Sequence, residues 1–273
     1  MRLFSSRTVI KLLACLALAL ILASPTGGAA TQSGAKRSFR VMTYNIHHGE
    51  GTDGKIDLNR IAEVILTQKA DIVALQEVDR GVERTARRDL IAELASLTGM
   101  DYVFGKNIDY QGGDYGNAVL TRFRILKQQN HHYKMIRPGE QRGLLQVLMM
   151  VGRKQVLFLN THLDYRQDDA ERLSNVDEIM QVLEQYKGMR VILCGDLNDI
   201  PGSRTHRKVQ ETFIDIWGRA GKVEGFTYSS SKPQKRIDYI LVKKEKAVAP
   251  ASAWVVESNA SDHLPVVVEF KLP

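Results

Sequence analysis

Cysteine is almost absent from this chain: two in 273 residues, at positions 15 and 194. That excludes a disulfide-stapled scaffold and leaves no ligand set for a zinc ribbon or an iron–sulfur cluster. Tryptophan also occurs twice, and aromatic residues make up only 7% of the chain. No Trp- or Phe-rich hairpin suited to dipping into a bilayer stands out. Internal repeats, heptads and low-complexity tracts are missing, which removes solenoids and coiled coils. The longest unbroken apolar run, Leu12 to Ala23, has 12 residues. A spanning helix needs roughly 20.

That run follows Arg2, Arg7 and Lys11 and precedes Ser24, Pro25, Gly27, Gly28, Ala29 and Ala30. A basic start, an apolar middle and a small-residue exit predict a secretory signal peptide over 1–30. A retained anchor is the alternative. A lipid-modified Cys15 does not fit, because most of the run follows it. Without residues 1–30 the net charge falls from +7 to +4, a mild bias toward anionic substrates that is too small to single out DNA. Cys194 would then be the only cysteine, and its Val191-Ile192-Leu193 context reads as a buried apolar position. Residues 31–38 form a polar linker, and 39–272 read as one domain. An extracytoplasmic, monomeric protein with no membrane span in its mature chain is expected.

Short apolar runs end in polar residues along the whole domain. Phe39 to Ile46 carries Asn45, and Ile72 to Leu75 runs into Gln76-Glu77. Val156 to Leu159 runs into Asn160-Thr161-His162-Leu163-Asp164, and Val191 to Cys194 into Gly195-Asp196-Leu197-Asn198. Asp238 lies within Ile237 to Val242, and Ser261-Asp262-His263 precedes Val266 to Val268. Continuous apolar runs predict strands buried on both faces. On such strands Asp196 and Asn198 would share a face, as would Asn160, His162 and Asp164. Polar residues recurring where strands emerge predict a common cleft at one sheet edge. Helical spacing appears in Leu58 to Thr67, Asp89 to Leu97 (with Gly99 as a stop) and Asp169 to Tyr186. Strands alternating with helices indicate an α/β class, and strands after Phe226 without helical spacers indicate that part of the sheet is antiparallel.

Carboxylate and amide oxygens suit Mg²⁺ or Mn²⁺ better than Zn²⁺. Two histidines near carboxylates suit acid–base work. Arg84, Arg87 and Arg88 read as a solvated helix start rather than a nucleic-acid face. His47-His48 and residues 49–54 read as a loop over the cleft, and Trp217 and Trp254 as packing residues.

Seven ordered motifs make the pattern specific: Thr43-Tyr44-Asn45-Ile46, Leu75-Gln76-Glu77-Val78, Tyr115-Gly116-Asn117-Ala118, Asn160-Thr161-His162-Leu163, Gly195-Asp196-Leu197-Asn198, Arg236-Ile237-Asp238-Tyr239 and Ser261-Asp262-His263-Leu264-Pro265. In this order they resemble the endonuclease/exonuclease/phosphatase superfamily, with its deoxyribonuclease I-like fold. The resemblance implies a four-layer α/β sandwich, two packed mixed β-sheets flanked by helices. It implies a phosphoesterase that uses Mg²⁺ or Mn²⁺, held by Glu77 with Asn45 and Asp262. Asp196 and Asn198 would position the attacking water or the phosphate, and Asp238 would orient His263. His162 would touch the phosphate as an acid or hydrogen-bond donor. Tyr115, Asn117 and Arg142 would contact substrate. Pancreatic-type nucleases of the family carry a glutamate where this chain has Asn117, which weakens the expectation of strong duplex cleavage. The expected reaction is hydrolysis of a phosphodiester by an activated water. Nucleic acid and phospholipid head groups are both candidate substrates. Sphingomyelinase-like or inositol-phosphate phosphatase activity, and a binding protein that has lost catalysis, are the alternatives.

Overall fold

A computed structural model describes residues 38–273. The predicted signal peptide and nearly all of the linker lie outside the described residues. Twelve strands form two six-stranded sheets. The first sheet contains β1 (Ser38–Asn45), β2 (Ile72–Arg80), β3 (Asp101–Tyr110), β4 (Gly113–Thr121), β11 (Pro250–Val255) and β12 (Val266–Lys271), in the order β11-β12-β1-β2-β4-β3. The second contains β5 (Ile125–His132), β6 (Gly143–Val151), β7 (Lys154–His162), β8 (Arg190–Asp196), β9 (Phe213–Asp215) and β10 (Asp238–Lys243), in the order β5-β6-β7-β8-β10-β9.

Each sheet has one parallel pair at its centre, β1 with β2 and β7 with β8. Parallel neighbours need a crossover, supplied here by α1 (Leu58–Thr67) and α3 (Ala170–Leu183). Both parallel pairs therefore end at one edge of their sheet. β10 and β12 run antiparallel to β8 and β1, so their starts reach that same edge. This is why the last residues of β1, β7 and β8 and the carboxyl half of β2 meet the first residue of β10 and the residues before β12.

Alternation along the strands separates three cores. Phe39, Val41, Ile72 and Ala74 face Phe158, Ile192 and Cys194 between the sheets. Met42, Tyr44, Val73 and Leu75 face the other way, onto Leu58, Ile61 and Ile65 of α1 and Leu90, Ile91 and Leu94 of α2 (Leu90–Thr98). Leu157, Leu159 and Leu193 meet Val176, Ile179 and Val182 of α3. Helix, sheet, sheet and helix make the four layers. Cys194 is a buried free thiol in the inter-sheet core, as its apolar context predicts.

The helix boundaries follow from capping. The Asp57 carboxylate accepts from Asn59 N–H at 2.9 Å, and Asp89 accepts from Ala92 N–H at 3.1 Å. Asp89 is thus the cap of α2 rather than its first residue, and Gly99 closes the helix in the left-handed region. The helical spacing seen through Tyr186 is α3 followed by a 3₁₀ turn over Glu184–Tyr186. One further helix, α4 (Arg204–Thr212), has no sequence expectation, because Val209 is its only buried apolar side chain. A short helix, α5 (Trp217–Ala220), follows it.

The two sheets are also fastened by polar groups. Gln76 Nε2 donates to Asn160 Oδ1 at 2.7 Å, and Asn160 Nδ2 donates to the Leu75 and Ala118 carbonyls at 2.8 Å each. Both side chains are fully buried. This clip forms the floor beneath the shared edge.

Candidate active site

A cleft of about 660 Å³ opens at that edge, lined among others by Glu77, Tyr115, Arg142, His162, Asp196, Asn198, Asp262 and His263. Its walls come from both sheets.

On the first sheet, Glu77 sits in the left-handed region at φ 59°, where the β2–β4 register slips between Leu75 and Val78. A non-glycine residue there is costly, and a bulge that re-aims a side chain is the usual reason for it. Glu77 is thereby turned into the cleft. Asn45, at the end of β1, accepts at Oδ1 from the His47 N–H and offers its amide hydrogens to Glu77 Oε1 at 2.9 Å and Asp196 Oδ2 at 3.2 Å. The sequence reading made Asn45 a metal ligand. In the structure it bridges two carboxylates, and its oxygen is engaged by backbone.

On the second sheet, Asp196 ends β8 and pairs in register with Asp238, the first residue of β10. Asp238 thus opens its strand rather than lying inside it. On its other side β8 lies close against β7, and Gly195 permits that approach, since a Cβ there would lie 1.9 Å from the Thr161 carbonyl oxygen. Asp238 Oδ2 accepts from His263 Nδ1 at 2.9 Å, and His263 Nε2 lies 3.7 Å from Asp196 Oδ2. His162 Nε2 approaches the same carboxylate oxygen at 3.5 Å. One buried carboxylate is therefore flanked by two buried imidazoles.

Asn198 does not share a strand face with Asp196. It lies past the end of β8 at φ 49°, where its N–H donates to Asp196 Oδ1 at 2.8 Å. Its side-chain amide donates to His162 Nε2 at 3.0 Å and to the Leu163 carbonyl at 3.0 Å. His162 Nε2 thus accepts from Asn198, which places the ring hydrogen on Nδ1. Asp164 also lies past its strand and is held by Arg166 at 2.7 Å.

The protonation states follow from these contacts. Burial and the neighbouring Asp238 charge push Asp196 up to about 7, against the pull of His263. Burial opposes charge on His263, but Asp238 (by charge and hydrogen bond) and then Asp196 outweigh it and lift the imidazole to about 10. Burial, then Arg142 and His263, hold His162 well below the ordinary histidine range. At neutral pH the site carries one imidazolium, one neutral imidazole and, between them, a carboxylate driven toward its protonated form by burial and Asp238.

Tyr115 and Arg142 line the cleft. Arg142 pairs with Glu140 at 3.0 Å and its guanidinium lies 6.0 Å from the Tyr165 ring centroid. Asn117 is not brought to the cleft: it is buried, and its amide donates to the Gly143 carbonyl at 3.4 Å. Glu140, Tyr165, Arg166, Arg172, Tyr228 and Lys235 line the cleft without having been singled out as site residues. Arg172 lies on the first turn of α3, on its polar side, and the others sit on loops between strands, where no periodic pattern marks them. The Arg84 cluster is spoken for by carboxylates: Arg84 grips Asp79 through two bonds of 2.8 Å, and Arg88 holds Glu93 at 2.6 Å.

The donor chemistry fits a hard divalent cation. Glu77 and Asp196 oxygens converge on one amide, and the Asp262 carboxylate, about a third exposed, faces the same cleft.

Among known proteins, the curated "Uncharacterized protein YbhP" of Escherichia coli is 31% identical over 251 residues, covering 86% of this chain and 97% of that protein. Three solved structures align over most of the chain. An endonuclease/exonuclease/phosphatase from Beutenbergia cavernae has a TM-score of 0.71 at 24% identity, covering 87% of this chain and 72% of that one. A mannosyl-6-phosphatase from Bacteroides thetaiotaomicron has 0.72 at 17%, covering 85% and 99%. A truncated TDP2 from Caenorhabditis elegans has 0.65 at 23%, covering 86% and 98%. The pattern of the Endonuclease/Exonuclease/phosphatase family matches residues 42–263, from the middle of β1 to the imidazolium of the cleft. A match that starts on the strand bearing Asn45 and ends on His263 takes in the whole constellation, so this chain belongs to the endonuclease/exonuclease/phosphatase family, whose members are metal-dependent hydrolases of phosphate esters.

Proposed function

We propose that this protein is an exported phosphoesterase that hydrolyses a phosphodiester through a water activated at Asp196. One observation carries the reading: the buried Asp196 carboxylate stands between His162 Nε2 at 3.5 Å and His263 Nε2 at 3.7 Å, with Asp238 on the far nitrogen of His263 at 2.9 Å. A base with a pKa near the working pH combines the right protonation state with useful driving force.

In this scheme, the Asp196 carboxylate takes a proton from the attacking water. The Asn198 backbone N–H on Oδ1 and the Asn45 amide on Oδ2 fix the carboxylate plane. The His263 imidazolium, anchored by Asp238, donates toward phosphate oxygens as negative charge grows on them. Arg142 adds a guanidinium suited to phosphate geometry. Asn198 holds the ring of His162 in one orientation. A Mg²⁺ or Mn²⁺ held by Glu77 and Asp262 would supply neutralisation of charge on the phosphate and on the departing oxygen. Export is supported by the sequence pattern of residues 1–30.

The test is turnover of bis-p-nitrophenyl phosphate with Mg²⁺ or Mn²⁺. Glu77→Ala and His263→Ala are expected to lose nearly all of it, and normal turnover by both would refute the assignment. A panel of plasmid DNA, RNA, sphingomyelin and inositol phosphates then identifies the ester. Preference for a monoester would move the reading to a phosphatase.

A further inference from the structure

On the outer flank of Glu77, the chain leaves β1 through a 3₁₀ turn, His47–Gly49. Both histidines of this turn are in the left-handed region, at φ 43° and 45°. One ring nitrogen of each and one Glu77 carboxylate oxygen lie within 4.8 Å of one another. None of the hydrolytic steps above uses either histidine.

His48 is 93% buried, and its Nδ1 has no hydrogen-bond partner. Its Nε2 lies 3.4 Å from Glu50 Oε2. A carboxylate can only accept, so Glu50 favours the ring hydrogen on Nε2 and leaves a lone pair on Nδ1. A buried acceptor with no donor is costly. A carboxylate on the far nitrogen is also the usual support of a metal-bound imidazole. His47 is about a third exposed, with Nδ1 4.0 Å from Asp262 Oδ1, so its ring has room to turn. Arg84, whose charge acts on His48, is engaged by Asp79.

We propose that His47, His48 and Glu77 form a second metal site, for a transition-metal dication of the Zn²⁺, Co²⁺ or Fe²⁺ type, with Glu77 shared between it and the hard-cation site. Two imidazoles and one carboxylate with open positions suit such ions rather than Mg²⁺. Tetrahedral donors at metal–nitrogen distances of 2.0–2.1 Å stand about 3.3 Å apart. The three donor atoms, within 4.8 Å of one another, would draw in by up to about 1.5 Å to reach that.

The test uses Co²⁺ added to the full chain freed of metal by chelation, in the presence of excess Mg²⁺. Proton NMR of the Co²⁺ protein is expected to show strongly shifted, exchangeable imidazole N–H signals, one lost in His47→Ala and one in His48→Ala. Co²⁺ affinity should fall by about tenfold or more in each. Shifted signals that persist in both variants would place the ion elsewhere, at the Asp238–His263 side, and would overturn the site. So would Co²⁺ binding without imidazole signals, or no Co²⁺ binding in excess Mg²⁺. If His48→Ala does not fold, His47→Ala, at the more exposed position, decides the matter alone.

Discussion

The two walls of the cleft are built on the same plan and put to different uses. Each is a parallel strand pair joined by a helix, with its carboxylate on the second strand where the parallel pairing ends. On the first sheet that carboxylate is Glu77, half-buried and turned outward by a bulge. On the second it is Asp196, fully buried, faced by a second carboxylate and flanked by two imidazoles. Water-accessible oxygens are available to a cation. A buried carboxylate beside another is driven toward sharing a proton. The same supersecondary unit therefore yields a metal-holding wall and a proton-handling wall, and burial makes the difference.

Mutations break this comparison with graded effects. Gly195→Ala puts a methyl group 1.9 Å from the Thr161 oxygen. The expected outcome is failure to accumulate folded protein, checked by soluble yield and circular dichroism. Asp196→Asn removes the proton acceptor while keeping the shape, and turnover should fall by about 10³-fold. The folded state raises the Asp196 pKa from 3.8 to about 7. Its contribution to stability is therefore complete below the unfolded value and is lost as pH rises through 7. Asp196→Asn should then melt higher than the parent at pH 8 and about equally at pH 4, in a calorimetric comparison. Glu77→Gln, on the metal-holding wall, should lose turnover.

Asn160→Ala removes the clip between the sheets and leaves Gln76 and two carbonyls without their partner. A loss of about 2–3 kcal/mol is expected in denaturant unfolding. The pH–rate profile offers a finer test. Its acid limb should follow Asp196 near 7 and its alkaline limb His263 near 10. Asp238 raises both groups, so Asp238→Asn should move both limbs to lower pH. Asn117→Ala should change turnover least, because that side chain faces Gly143 and not His162.

Much of this was legible in the sequence, and the exceptions have physical causes. The strand ends carrying Asn45, Glu77, His162 and Asp196 were readable because buried parallel strands are uninterrupted apolar runs. The meeting of Asp238 and His263 with them follows from antiparallel return strands. What local pattern does not encode is side-chain direction. Asn45 turns its amide hydrogens toward Glu77 and Asp196, and Asn198 toward His162 and the Leu163 carbonyl, because these acceptors arrive from distant segments of the chain. Asn117 fell away from the cleft for the same reason. The helix Arg204–Thr212 was missed because it buries Thr205 and His206 beside a single valine, and His206 is satisfied by Asp215 at 3.0 Å. Glu140, Arg166 and Lys235 reach the cleft from loops, where sequence periodicity is silent.

The opposite protonation of the two imidazoles is the centre of the mechanism. It is read directly by nitrogen-15 NMR of imidazole-labelled protein across pH 5 to 9. His263 should remain imidazolium throughout, while His162 stays neutral with its hydrogen on Nδ1. Two histidines titrating together near 6.5, the ordinary value, would contradict it.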